Sequence, residues 1–310
     1  MKIAVIIVSW NVKELVGQCI ASIQKYLKGR HYDILLVDNA SSDNTVNFVR
    51  ESYPDVKVIA NKTNIGFAAA NNQAVRATDA EILVFANPDT ELTGTIDPLI
   101  LKLSDPRIVA SFGRLVYPSG IPQDFIRNFP TIINQLGEIS GLPHLFPKLR
   151  WTHEMIRNRN GGEYGKMHFI DAASGAFFVM KRDSFVEAGM FDENFFVYGE
   201  DMDLFYRLRK KGYKILYDPN VKIIHHHGKS TSQNPMMYKM EQKNRYLFIK
   251  KNYSTAQALL YRYVLFLSYD ALRLGLTMLK LLLNGQDSRR KYYEKVIGHF
   301  RAIMWELFGE

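Results

Sequence analysis

The residues best suited to chemistry are carboxylates and histidines placed where apolar runs break. Asp89 follows the run Ile82–Ala86 and the breaker Pro88. Proline cannot donate to a ladder and biases Asn87 to an extended conformation, so the run ends there. Asp89 is then set at the carboxyl end of a strand, where open α/β sheets bind ligands. Such a carboxylate either holds a hard cation against phosphate oxygens or stabilises a turn, and this stretch alone leaves both readings open. Asp38 ends a second apolar run and is suited to accept from a base N–H or a ribose hydroxyl. Asn64 and the flexible Gly66 follow a third and can approach a base edge. Glu200, Asp201 and Asp203 open an apolar-periodic helix after Gly199. Asp203 is expected to cap that helix and complement its dipole. Glu200 and Asp201 are adjacent and point different ways, one toward a ligand pocket and one anchoring backbone. A partly desolvated carboxylate beside another is a reasonable general base. His225, His226 and His227 follow. In an extended segment alternate side chains face opposite ways, so at most two share a site, and at least two are expected to be structural or surface histidines.

These positions need a scaffold. Residues 3–8, 32–37, 56–60 and 81–86 read as strands. Between them, Val12, Leu15, Val16, Cys19, Ile20, Ile23 and Leu27 recur at helical spacing, and further helices are expected over 44–52 and 67–77. The alternation predicts an α/β fold with a doubly wound, mostly parallel sheet. No G-x-G-x-x-G follows any strand, which argues against a dinucleotide enzyme. Gly228-Lys229-Ser230 lacks the leading glycine of a phosphate loop, since position 223 is Ile223. Seven prolines break residues 91–166. A strand is expected at 108–116, and 119–166 reads as a substrate-facing insertion rich in aromatic and basic side chains (Phe125, Arg127, Phe129, Trp151), partly disordered without ligand. Residues 167–172 and 175–180 read as strands, with small residues at 172–176 that let a ligand approach the backbone. A helix from about 182 is ended by Gly189. Asp218-Pro219-Asn220 reads as a turn between extended segments 213–217 and 221–225.

The composition is that of an ordinary globular protein, with 310 residues, 47% hydrophobic and 23% charged. The single cysteine, Cys19, excludes an intramolecular disulfide and a cysteine metal cluster, and fits a reducing compartment. The N-terminus reads as a first strand rather than a signal peptide. The net charge of +9 is uneven. Residues 1–204 carry 20 Lys and Arg against 24 Asp and Glu, whereas residues 205–310 carry 20 against 7. A basic second part suggests an anionic partner, nucleic acid or membrane.

Six stretches occur in order: Val-Asp-Asn-Ala-Ser-Ser-Asp at 37–43, Asn-Ile-Gly-Phe-Ala-Ala-Ala-Asn-Asn at 64–72, Asn-Pro-Asp-Thr at 87–90, Ser-Gly-Ala-Phe-Phe at 174–178, Tyr-Gly-Glu-Asp-Met-Asp-Leu at 198–204 and His-His-His-Gly-Lys-Ser at 225–230. Together they resemble the family 2 inverting glycosyltransferases of GT-A fold, most closely the rhamnosyltransferase-like branch, over about residues 1–230. The resemblance implies a Rossmann-like catalytic domain over 1–235, with a nucleotide-binding half (1–100) and an acceptor-binding half (101–235). A C-terminal amphipathic helical region follows over 236–310. It implies a donor site built from Ser9, Trp10, Asn11, Asp38, Asn39, Asn64, Gly66, Asn87, Asp89, Ser174 and Gly175. It implies Asp201 as catalytic base with Glu200 beside it, and Mg²⁺ or Mn²⁺ held by Asp89 with His225. Asn87 stands where the family carries the first aspartate of its Asp-x-Asp motif, so one formal charge is lost. The activity implied is transfer of a sugar from a nucleoside diphosphate donor, dTDP-L-rhamnose as the best match or a UDP-hexose otherwise. The acceptor implied is a polyprenyl-diphosphate-linked or polysaccharide glycan in bacterial cell-wall, O-antigen or capsule synthesis.

Residues 258–283 are strongly apolar but interrupted by Arg262, Asp270, Arg273 and Lys280, and no charge-free run reaches the ~18 residues of a spanning helix. At about 100° per residue the three basic residues fall within roughly 20° of one another, a narrow polar stripe on a wide apolar face. That face is expected either to pack on the catalytic domain or a homodimer partner, or to lie on a membrane. Arg289, Arg290 and Lys291, with Trp305 and Phe308, favour the membrane surface. The expected place is cytoplasmic, peripheral on the inner face of the plasma membrane. Two rivals remain. A nucleotidyltransferase would carry a glycine- and arginine-rich loop after the first strand, where Ser9-Trp10-Asn11 stands. A nucleic-acid-binding protein would explain the basic second part, but its charges are interleaved with aliphatic runs, which favours membrane and no nucleic acid.

Overall fold

The computed structural model describes residues 1–134, 164–226 and 235–263. The chain divides into two compact units, Met1–Phe129 with Met155–Ser232 and Pro130–Glu154 with Gln233–Glu310.

In the first unit the apolar runs become β1 (Ile3–Ser9), β2 (Tyr32–Asp38), β3 (Lys57–Ala60) and β4 (Ile82–Ala86). They alternate with α1 (Lys13–Tyr26), α2 (Thr45–Ser52) and α3 (Phe67–Arg76). Every residue of β1 and β4 is buried, as expected of strands covered on both faces. The four strands run parallel in the order β3-β2-β1-β4. Ser9 is in register with Asp38, and Asp38 with Ala60, so these strand ends share one rim.

The second half departs from a purely parallel sheet. It comprises β5 (Thr90–Leu92), α4 (Asp97–Lys102), β6 (Ile108–Val116), β7 (Ile126–Arg127), β8 (His168–Ile170), β9 (Ala172–Ala173) and β10 (Phe177–Lys181). It ends with α5 (Arg182–Glu187), α6 (Glu200–Lys210) and β11 (Lys214–His225). The main sheet runs β3-β2-β1-β4-β10-β6-β11-β5, with β8 also on β11. β10 is antiparallel to both neighbours, and β5 and β8 are antiparallel to β11. The result is a mixed, mostly parallel sheet flanked by helices. Because β10 runs backwards, its entry residues 174–176 reach the rim where β4 exits.

Two local expectations change. Residues 167–172 do not form one strand. β8 pairs with β11, the chain turns at Asp171, and β9 pairs with β7 in a separate two-stranded ribbon. Asp218-Pro219-Asn220 is not a turn between two strands but an irregularity inside the single strand β11. The register against β6 jumps from Tyr217–Phe112 to Lys222–Arg114, and Pro219 sits where no ladder N–H is required.

An aromatic layer holds α5 and α6 on the sheet. Phe85 stacks on Phe178 with centroids 4.6 Å apart, and Phe178 on Phe112 at 5.3 Å. Phe205 of α6 meets Phe112 edge-on, and Phe185 of α5 meets Phe85. Each such pair adds about 0.5–1.5 kcal/mol beyond burial. The ends of the expected insertion are also built into the fold. Phe125 is buried, and the Phe125 and Ile126 N–H groups donate to the Tyr164 hydroxyl at 2.7 and 2.9 Å. Residues 135–163 of that insertion, Trp151 among them, lie outside the described residues.

In the second unit α7 (Pro235–Asn252) is described. Beyond it Ala258 and Tyr261 are buried, and Leu259, Leu260 and Tyr263 are exposed. Among the described residues no helix is long and apolar enough to cross a membrane. From 264 on, the stretch expected to form an interfacial helix lies outside the described residues, as do Arg289–Lys291, Trp305 and Phe308.

Candidate active site

Two clusters form on the rim. The first gathers the ends of β1, β2 and the loop before α3. Ser9 is buried, and its hydroxyl donates to Asp38 Oδ1 at 2.9 Å. Asp38 Oδ2 accepts from the Ser41 N–H at 2.8 Å. Each carboxylate oxygen has two lone pairs, so acceptor capacity remains for a ligand. The Asn39 N–H donates to the Ser9 carbonyl, and its side-chain amide to the Gly66 carbonyl. Asn11, at φ 56°, accepts the Ser42 N–H through Oδ1. Trp10 between them is half exposed at 52%, a flat apolar face at the mouth of the cluster.

Asn64 and Gly66 shape the loop before α3. Asn64 Oδ1 accepts the Gly66 N–H at 2.9 Å, closing its own loop. Gly66 adopts φ 89°, and a Cβ there would stand 2.7 Å from the Phe196 carbonyl oxygen. The Phe67 N–H donates to that same oxygen at 2.7 Å. Gly66 is therefore where the loop before α3 is clamped to the loop before α6.

The second cluster surrounds the exit of β4. The Asn87 N–H donates to the Ala176 carbonyl at 2.8 Å. Next to Ala176, the Gly175 N–H donates to Asp201 Oδ2 at 2.8 Å, while Asp201 Oδ1 accepts the Met202 N–H at 2.7 Å. Ser174 is tied back through its N–H to the Phe125 carbonyl. The antiparallel pairing of β5 with β11 sets Thr90 opposite His225. That register brings His225 Nε2 to 3.5 Å from Asp89 Oδ2, both side chains being buried. His225 Nδ1 meets Gln123 Oε1 at 2.8 Å. His226 turns the other way and pairs with Glu91, as alternation along a strand requires. His227 and Gly228–Ser230 lie outside the described residues.

The carboxylates at the start of α6 divide their labour otherwise than expected. Asp201 is both anchored to backbone and part-exposed, whereas Glu200 is 4% exposed. Burial first, then the neighbouring Asp201 charge, pushes the Glu200 carboxyl well above the usual carboxylate range. Arg127 offsets part of that shift. Asp203 lies in the first turn of α6, where its charge complements the dipole as expected, and it also anchors a guanidinium. Fully buried, it accepts Arg207 Nε at 2.8 Å, and the same guanidinium donates to the Ala188 and Met190 carbonyls. Gln123, Arg127 and Asn72 are the contributors least visible in the sequence as site residues. Asn72 ties α3 to the Phe191 backbone through both ends of its amide. Nothing local distinguishes these three from ordinary polar side chains.

Among the described residues no group of three or more His, Cys, Asp or Glu is arranged to hold a metal ion. Asp89 and His225 are spaced to share a cation. Two ligands of one ion at ~2.1 Å stand roughly 3.0–3.5 Å apart at octahedral to tetrahedral angles. Asn87, two residues from Asp89, adds a buried Oδ1 with no hydrogen-bond partner among the described residues. A site with so few protein ligands suits a cation that takes its remaining oxygens from a bound diphosphate and water.

The family model described as glycosyl transferase family 2 matches residues 4–186. The N-acetylglucosaminyl-diphospho-decaprenol L-rhamnosyltransferase of Mycobacterium tuberculosis is 29% identical over 239 residues, covering 73% of this chain and 76% of that protein. The rhamnosyltransferase WbbL of Escherichia coli is 23% identical over 272 residues, covering 80% and 93% respectively. Among solved structures, the mannosyltransferase PcManGT from Pyrobaculum calidifontis, in complex with GDP-Man and Mn²⁺, superposes with a TM-score of 0.60 at 16% identity, over 99% of this chain and 87% of its own. GalNAc-T7 with UDP, GalNAc and Mn²⁺ gives 0.56 at 16% identity, over 79% of this chain and 47% of its own. These likenesses show a shared fold.

Proposed function

The chain belongs to glycosyl transferase family 2 and is a glycosyltransferase, and from that premise we propose that it is a metal-dependent inverting rhamnosyltransferase acting on a lipid-linked glycan. The observation that carries the reading is the juxtaposition of Asp89 and His225, 3.5 Å apart at the strand rim. It is joined through Asn87–Ala176 and Gly175–Asp201 hydrogen bonds to a carboxylate at a helix start. L-rhamnose as the sugar, and a polyprenyl-diphosphate-linked acceptor, are supported by the name of the mycobacterial relative. dTDP-L-rhamnose is the proposed donor. Such an acceptor would bring the enzyme to the inner face of the plasma membrane, with the C-terminal helical region against the lipid surface.

Mg²⁺ or Mn²⁺ held by Asp89 and His225 would offset charge on the departing nucleoside diphosphate, a contribution of several kcal/mol. The chain's own residues supply the rest. Ser9 and Asp38 hold the nucleoside end, with Trp10 beside it. Gly175, without a side chain, leaves room beside Asp201, where a Cβ would come within 3.3 Å of the aspartate. Asp201 takes the proton of the attacking acceptor hydroxyl on a lone pair not used by Gly175 or Met202, worth roughly 10²–10⁴ in rate. The hydroxyl oxygen bonds to the anomeric carbon from the face opposite the diphosphate, which leaves with the bonding electrons, and the configuration inverts. Burial and the Asp201 charge both favour the protonated form of Glu200, which lessens the repulsion between the two carboxyls beside the base.

A donor panel tests this: dTDP-rhamnose, UDP-galactose, UDP-glucose, UDP-N-acetylglucosamine and GDP-mannose, with nucleotide release as the readout. Release from dTDP-rhamnose is expected. Release from a UDP-hexose alone would replace the donor, and salt-dependent DNA binding with no release from any donor would overturn the reading. Calorimetry of dTDP with and without Mn²⁺ tests the cation site, because metal dependence that survives Asp89→Ala would move it elsewhere.

A further inference from the structure

We propose that Gln123 is a positioning residue that fixes His225 as the Nδ1–H tautomer and so aims an Nε2 lone pair at the cation site beside Asp89. This rests on the reading of Asp89 and His225 as that site. Gln123 lies on the return of a short hairpin that extends β6. The Tyr117 N–H donates to the Ile121 carbonyl and the Gly120 N–H to the Tyr117 carbonyl, both at 2.8 Å. The Gln123 N–H then donates to the Leu115 carbonyl at 3.0 Å. The side chain, 3% exposed, is delivered to the last residue of β11, far away in sequence.

There it makes a two-point clasp. Gln123 Nε2 donates to the His225 carbonyl at 2.6 Å, and Gln123 Oε1 faces His225 Nδ1 at 2.8 Å. A backbone carbonyl only accepts, so the NH₂ end of the amide must face it, and the oxygen end must face the ring. Nδ1 therefore carries the proton. With Nδ1 turned to the amide oxygen, Nε2 is the ring nitrogen that faces the cation site, 3.5 Å from a carboxylate oxygen. A lone pair aimed at a carboxylate is repulsive unless positive charge lies between them. Holding one ring nitrogen as a donor so that the other can ligate is how outer partners orient histidine ligands. By grasping both the ring and the carbonyl of one residue, Gln123 also prevents the imidazole from swinging away from Asp89.

The experiment uses the full chain. Two-bond ¹H–¹⁵N correlation spectra of the metal-free protein, recorded as a pH series, report the tautomer of the neutral ring, with His225→Ala giving the assignment. Wild type is expected to show Nδ1–H. Gln123→Met keeps the volume without the acceptor and is expected to shift His225 toward Nε2–H. Gln123→Glu keeps the acceptor and is expected to retain Nδ1–H. Paramagnetic resonance of Mn²⁺ titrated in the presence of dTDP should then show affinity reduced about 10–100-fold in Gln123→Met and less in Gln123→Glu, with metal-free dTDP affinity unchanged. An Nε2–H tautomer in wild type, or equal Mn²⁺ loss in both variants, overturns the proposal in favour of a packing role. Mn²⁺ affinity indifferent to Asp89→Ala overturns the cation-site reading, and with it the purpose of the clasp, even where the tautomer is as expected.

Discussion

Gly66→Ala tests the clamp between the loop before α3 and the loop before α6. At φ 89° and ψ 166° an alanine is held in a region open essentially to glycine alone, at about 1–3 kcal/mol. The new Cβ would stand 2.7 Å from the Phe196 carbonyl oxygen and 2.8 Å from its ring. The oxygen is backbone and accepts the Phe67 N–H, so it cannot turn aside, and such overpacking costs about 1–3 kcal/mol. The narrower unfolded ensemble of alanine returns roughly 0.4–1 kcal/mol. The net expectation is a loss of about 1–6 kcal/mol. Gly29→Ala is the control, because Gly29 has φ 85° and nothing within 4 Å of a Cβ, so only strain applies. Urea unfolding of both variants separates the two contributions. The clamp also has a kinetic signature. Phe196 lies just ahead of Glu200 and Asp201, and a shift of an ångström at a base costs about 10² in turnover, so kcat should fall more than donor KM rises. Equal stability losses in Gly66→Ala and Gly29→Ala, with unchanged kcat, would refute the reasoning.

Three further outcomes follow from the same geometry. Asp203→Ala should destabilise by about 3–5 kcal/mol in urea unfolding, since it leaves the Arg207 guanidinium without its buried counter-charge; a loss under about 1 kcal/mol would leave Asp203 only its charge at the helix start. Glu200→Gln should raise stability at neutral pH. A carboxyl whose folded pKa is raised binds more protons folded than unfolded, so its contribution is full below the unfolded pKa of about 4.3 and is lost as pH rises toward the folded value; stability of the wild type relative to the variant, followed against pH, should fall through that window. Asp201→Asn should lower turnover by roughly 10²–10⁴ with donor affinity nearly intact. It should also cost about 1 kcal/mol of stability, because one of the N–H donors from Gly175 and Met202 then faces an NH₂ group; wild-type turnover in this variant would remove Asp201 as the base.

What the sequence alone determined is local. The runs at Ile3–Val8, Tyr32–Val37 and Ile82–Ala86, each closed by a polar or proline breaker, mark buried parallel strands and put Ser9, Asp38 and Asp89 at their carboxyl ends. Apolar spacing and chain breakers act within a few residues, so they can be read without the rest of the molecule. The antiparallel course of β10, which brings Gly175 beside Asp201, depends on strand partners far away in sequence. So does the β5–β11 pairing that separates His225 from His226 and sets it by Asp89. The same holds for the fate of polar side chains. Asn64 closes its own loop, Asp203 is buried on Arg207 and Gln123 grips His225, because each side chain's partner is fixed by tertiary packing rather than by its neighbours in the chain. Asp89 had two readings as a strand-end carboxylate, and only the pairing of distant strands gave it a histidine within reach of a shared cation.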